Sequence, residues 1–155
     1  MINFAERISV PHPPTIVWSV LSDPDKVVTC IDGSRIDEHH PDGSFDAFLA
    51  VKFAGIKVGF KALATLRLDD AAMTGRLDGK GGDGRGSTRV EGSADYAVVA
   101  DGDGSMVTLD GGAEVKGALA GLVSTGATLV VARMAKSFGQ KLIATCDAIA
   151  AEQRA

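Results

Sequence analysis

The sequence predicts an α+β domain: a curved antiparallel sheet of about seven strands wrapped around one long C-terminal helix, with two short helices after the first strand. Changes of apolar period predict it. Alternation holds from Ile2 to Val10 and again from Ser34 to about Lys116, where glycine-rich and aspartate-rich turns punctuate it; spacings of three and four take over from Leu122 to Arg154.

Each element has its own signal. Ile2, Phe4, Ile8 and Val10 make the first strand, which ends at Pro11-His12-Pro13-Pro14, where prolines lack the N–H groups that sheet pairing needs. Thr15–Leu21 is apolar without alternation, and Pro14 suits a first helical turn. A second short helix begins at Ser22-Asp23-Pro24-Asp25, with Ser22 or Asp23 as cap. In the meander, Phe45, Ala47, Leu49, Val51 and Phe53 form one dry face, with Asp46 and Lys52 opposite. Beyond a turn near Gly55, Val58, Phe60, Ala62, Ala64, Leu66 and Leu68 form the next. Val90, Ala94, Tyr96 and Val98, then Val107, Leu109, Ala113 and Val115, repeat the pattern against charged or hydroxyl-bearing partners. The terminal helix shows Ala127, Val131, Met134, Phe138, Leu142, Cys146 and Ile149 along one stripe. Gly126 and Gly139 each weaken it by ~1 kcal/mol relative to alanine, and Gly139 marks a bend or close packing.

Composition narrows the function. At 155 residues, 45% hydrophobic and 23% charged, the chain fits a single domain, 1–155, with a continuous core. A net charge of -4, with basic residues scattered in ones and twos, argues against a nucleic-acid surface. Cys30 and Cys146 match no metal-ligand or redox spacing, so no metal or cofactor is expected and a reducing, cytoplasmic setting fits. Glu6 and Arg7 interrupt what a signal peptide would need, and the run Leu129–Ala132 is far short of the roughly 20 residues of a membrane span.

The dry faces carry unusually small residues at Ala62, Ala64, Gly92, Ala94, Gly111 and Ala113. They would let helix and sheet approach closely, or they would leave a hollow. With aromatic residues at only 5%, the interior is read as hollow, because large side chains are needed to fill a closed curved sheet to normal density. Expected lining residues are Leu49, Val51 and Phe53 on one strand and Phe60, Ala62, Ala64 and Leu66 on the next. Tyr96 and Leu109 follow on later strands, with Met134, Phe138 and Leu142 on the helix. Such a lining suits an apolar or aromatic guest, at about 25 cal/mol per Å² of apolar surface buried.

Three groups have chemical overtones. Gly79-Lys80-Gly81-Gly82-Asp83-Gly84 satisfies a nucleotide fingerprint formally, but a strand follows where a phosphate cradle needs a helix, so it is read as a hairpin turn. Asp37-Glu38-His39-His40-Pro41-Asp42 gathers possible metal ligands. Neighbouring strand residues point to opposite faces, so a solvated strand end running into a Pro41-Asp42-Gly43 turn is the simpler reading. His12, between prolines, is read as a surface residue. Glu6 interrupts the dry face of the first strand, either as a general acid or base or as an edge residue reaching solvent. Tyr96 is a core filler or a group that orients a ligand.

The ending Val10-Pro11, the pair Val17-Trp18, the turn Leu21-Ser22-Asp23-Pro24 and the segment Cys30-Ile31-Asp32-Gly33 together resemble the opening of the carbon monoxide dehydrogenase G-subunit family. Val51–Phe60 resembles that family's glycine-centred hairpin, Leu77-Asp78-Gly79-Lys80-Gly81 its Gly-x-Gly strand end, and Gly117–Leu122 its glycine-punctuated approach to the terminal helix. Asp32 stands where the family usually has proline, which predicts a less rigid loop. The resemblance implies a START-like helix-grip fold of the polyketide cyclase and lipid transport superfamily. It also implies a hydrophobic ligand, quinone-like or lipid, and association with a carbon monoxide dehydrogenase-type molybdenum hydroxylase complex. The chain stops at Ala155 without the apolar anchor of some relatives, so membrane contact is expected to be peripheral at most, at the inner face. A non-catalytic binding module is therefore expected. The alternatives are a cyclase, dehydratase or isomerase acting on a polyketide or aromatic substrate, and a pure protein adaptor.

Overall fold

The computed structural model describes residues 2–53, 55–84, 86–117 and 120–154, with side chains at all of these except 53, 56, 122–125 and 127–128. The elements follow in the order β1 (Ile2–Val10), α1 (Pro14–Leu21), α2 (Pro24–Thr29), β2 (Ser34–His39), β3 (Phe45–Phe53), β4 (Ile56–Asp69), β5 (Thr74–Gly82), β6 (Thr88–Asp101), β7 (Gly104–Gly117) and α3 (Ala120–Arg154). The seven strands form one antiparallel sheet in the order β1-β7-β6-β5-β4-β3-β2. β1 and β2 are thus its two edges, and α1 and α2 carry the chain from one edge to the other. This is the expected α+β architecture, with the helix beginning two residues earlier than its apolar stripe.

Local chemistry accounts for the short helices. Pro14 opens α1, whose Ile16, Val17, Trp18, Val20 and Leu21 are all buried. Asp23 caps α2 by accepting a hydrogen bond from the Asp25 N–H at 3.0 Å. α3 comes close to the sheet at Gly139, where an added Cβ would stand 3.2 Å from Ile8 Cγ2. Close packing is what that glycine provides.

Two apolar clusters hold the layers together. Val10, Val17, Trp18, Val20, Leu21, Cys30, Val98, Val107, Leu142 and Cys146 are buried at the end capped by α1 and α2. Val58, with Ile2, Val51, Phe60, Val115 and Val130, forms a separate cluster at the other end. Among the described residues α3 contacts β1 most, β3 and β7 less, and β4, β5 and β6 no more than marginally. The middle of the sheet stands back from the helix.

Two sequence expectations are corrected. Gly79–Gly82 do not form a turn; they belong to β5 and pair with Gly92–Arg89 of β6. The physical reason is close backbone passage, since a Cβ on Gly81 would collide with the Lys61 carbonyl oxygen. The connection to β6 comes after Gly82, with Gly84 and Gly86 at φ of 79° and 77°. His12 is not a surface residue: its side chain is 13% exposed, and Nε2 lies 2.6 Å from Asp147 Oδ1 on α3. The loop at Asp32 also touches α3. Asp32 Oδ2 accepts from the Ser137 hydroxyl at 3.1 Å, and Oδ1 is paired with the Lys141 ammonium.

Candidate functional site

The register across the sheet defines what faces α3. One row runs Glu6, Leu109, Tyr96, Gly75, Leu68 across β1, β7, β6, β5 and β4. The next runs Phe4, Gly111, Ala94, Leu77, Leu66, and the third Ile2, Ala113, Gly92, Gly79, Ala64, Phe45. The second and third rows carry small residues at Gly111, Ala94, Ala113, Gly92, Gly79 and Ala64, with the Phe4 ring lying over Gly111. A Cβ added to Gly79 would meet nothing within 4 Å among the described residues. Leu77 and Leu68, although on the inner face, are 37% and 41% exposed. Part of the apolar surface on the helix side of the sheet is therefore left accessible.

The twelve expected lining residues divide accordingly. Leu49, Val51, Phe60, Ala62, Leu66 and Leu109 lie half-buried on the inner face, and Met134 and Phe138 are half-buried on α3. Ala64 is buried on that face against Gly79 and Phe45. Leu142 is fully buried in the packed end cluster. Phe53 lies outside the residues whose side chains are described, as do Ala127 and the pair 118–119.

Tyr96 has a fixed role. Its hydroxyl donates to the Leu21 carbonyl oxygen at 2.8 Å, its ring covers Gly75, and Trp18 stands 6.1 Å away between ring centroids. Burial pushes its pKa up to about 12. Trp18 in turn donates from Nε1 to Asp70 Oδ1 at 2.9 Å, so the pair locks α1 onto the strands. The Tyr96 proton is therefore committed to α1 rather than to a guest. Glu6 lies on the inner face, half-buried, and has no hydrogen-bond or ion-pair partner among the described residues.

The histidine segment is divided between two partners. His39 Nε2 lies 3.1 Å from Asp25 Oδ1, and His40 Nε2 lies 2.9 Å from Asp46 Oδ1. The hydrogen bond to Asp46 raises the His40 pKa above 6.5. Asp42 closes the turn by accepting from the Ser44 N–H at 2.9 Å and from its hydroxyl, which lowers the Asp42 pKa. No group of three or more potential metal-ligating side chains occurs among the described residues. Among them, too, no helix is long and apolar enough to cross a membrane.

One feature of the outer face escaped the sequence. Arg67, Arg76, Asp95 and Asp110 align across β4, β5, β6 and β7 and help frame an open depression of about 390 Å³. Arg76 pairs with Asp78 at 3.4 Å and bonds Asp95 at 3.0 Å, and the Asp78 charge, followed by the Asp95 hydrogen bond, raises its pKa. The alternation marks each of these residues as outward-facing, but only the register brings them into one row.

The family model for the G subunit of carbon monoxide dehydrogenase (CoxG) matches residues 7–145. No curated protein matches by sequence. Among solved structures, a conserved protein from Geobacillus kaustophilus superposes with a TM-score of 0.81 at 20% identity, over 94% of this chain and 95% of that one. A START superfamily protein from Mycobacterium smegmatis gives 0.63 at 15%, over 96% and 99%. The Zhui aromatase/cyclase from Streptomyces sp. R1128 gives 0.63 at 16%, over 94% and 93%. The fold is START-like.

Proposed function

We propose, for a chain that belongs to the carbon monoxide dehydrogenase G-subunit family, the binding of a hydrophobic small molecule between sheet and helix without chemical change to it. The observation that carries this reading is the half-open apolar inner face, with small residues at Gly79, Gly92 and Ala94, between two separately packed clusters. A guest seated there would cover Leu66, Leu68 and Leu77 and join the two clusters into one continuous core. A quinone-like or lipid molecule has the required apolar bulk. Family membership supports a role as accessory to a molybdenum hydroxylase of the carbon monoxide dehydrogenase type, in the cytoplasm and with at most peripheral contact with the membrane.

A cyclase, dehydratase or isomerase on the same fold is the competing reading, and one observation favours it: the unpaired, half-buried Glu6 carboxyl on the inner face. Native mass spectrometry of the purified protein, followed by organic extraction, separates the two. A stoichiometric apolar compound recovered unchanged after incubation supports the carrier. An altered compound supports the enzyme. An empty protein whose stability is unmoved by a panel of quinones and lipids rejects the carrier and makes the adaptor the stronger candidate.

A further inference from the structure

Glu6 is the only acidic or basic side chain that β1 and β3–β7 place on the inner face among the described residues. Its position coincides with the break in the core. On the same face of β1, Ile2 belongs to one apolar cluster and Ile8 and Val10 to the other, with Glu6 between them. In the neighbouring row the Phe4 ring lies over Gly111, and α3 passes β1 at Gly139, which stands against Ile8, while Val130 packs in the same cluster as Ile2. A half-buried carboxyl group without a protein partner keeps its acceptor oxygens open to water or to a guest. The other polar group in its row, the Tyr96 hydroxyl, is already engaged with Leu21.

We propose that Glu6 is the polar anchor of the hollow and selects apolar guests that carry a hydroxyl donor. The inference rests on the carrier reading and sharpens its chemistry. A carboxylate accepts hydrogen bonds and cannot donate them, whereas quinone carbonyls and ethers can only accept. A phenol or hydroquinone can meet Glu6 with its O–H, and the oxidised or methylated counterpart cannot. Of a quinone and hydroquinone pair, the reduced member is therefore held more tightly.

Calorimetric titration with 1-naphthol and 1-methoxynaphthalene tests this, because the ether is the more hydrophobic probe and burial alone would favour it. The wild-type protein is expected to bind naphthol at least about tenfold more tightly, the scale of a hydrogen bond to a charged group. Glu6→Leu is expected to abolish that preference while keeping or tightening ether binding, which also reports that the fold is intact. Glu6→Gln, which keeps shape and polarity, is expected to reduce the preference and serves if the leucine variant does not fold. Equal binding of both probes by the wild type, or a preference that survives Glu6→Leu, overturns the anchor and leaves the carrier standing. Binding of neither probe by the wild type overturns the carrier reading, and the anchor with it.

Discussion

Gly75 and Gly79 lie four residues apart on the same face of β5, and their surroundings are opposite. An added methyl at Gly75 would strike the Tyr96 ring, which holds α1 through Leu21, whereas at Gly79 it would enter open space. Gly75→Ala is expected to destabilise the protein by about 1–3 kcal/mol, as overpacking does, and Gly79→Ala to be neutral or to stabilise by about 0.4–1 kcal/mol through the unfolded chain. Denaturant midpoints of the two variants measure the contrast; equal losses would mean that the floor at Gly79 is closed. His40 offers a second test at this scale. Hydrogen bonding to Asp46 raises its folded pKa above 6.5, so the pair's stabilisation is fully present below about pH 6.5, the unfolded value, and is lost as pH rises through the folded value. An NMR titration of the His40 ring should show a midpoint above 6.5 that falls in Asp46→Asn. Alternation alone told that Glu6 and Tyr96 face the dry side. It could not tell that the Tyr96 partner is a carbonyl 75 residues away, or that one glycine seats a ring and its neighbour faces a void.

At the scale of elements, the segment that joins the two sheet edges is fastened to α3 at both ends. His12 before α1 meets Asp147, and Asp32 after α2 meets Ser137 and Lys141. These are largely exposed polar contacts, worth about 1 kcal/mol or less to global stability, but they decide how readily the two loops lift from the helix. Asp32→Ala should therefore leave the unfolding midpoint nearly unchanged while amide hydrogen exchange over residues 30–34 accelerates; unchanged exchange would mean that packing of Cys30 alone holds the loop. Strands with large alternating residues, such as β3 and β4, were legible from period alone, and so was α3. β5 was only half legible, because Gly79-Lys80-Gly81-Gly82 has no apolar period and glycine is the common turn residue. What makes those residues a strand is the close passage of β4 and β6 on either side, a tertiary condition with no local signature. The Asp32 tether was illegible for a similar reason, since its partners lie more than 100 residues on.

For the whole molecule, the division of the apolar core into two clusters couples stability to occupancy. The sequence implied spare volume through its small inner residues and few aromatics, but where the space lies follows from which strands α3 touches. If the gap is a binding site, a guest at 100 times its dissociation constant adds about 2.7 kcal/mol to the folded state. For a chain of this size that corresponds to a rise in Tm of roughly 5–11 °C. The same gap can be filled from the floor. Gly79→Leu places a side chain into the open space above β5, next to Ala64 and Gly92, without meeting a described neighbour within 4 Å of its first carbon. The empty variant should be as stable as the wild type or more so, because the new side chain buries apolar surface against Leu66 and Leu77. Its affinity for 1-naphthol should fall at least about tenfold, and the ligand-induced rise in Tm should shrink with it. Thermal unfolding with and without the probe reads both quantities in one experiment. A variant that loses stability without the probe would place packed atoms in the space of the hollow, and one that keeps full affinity would move the guest away from the β5 floor.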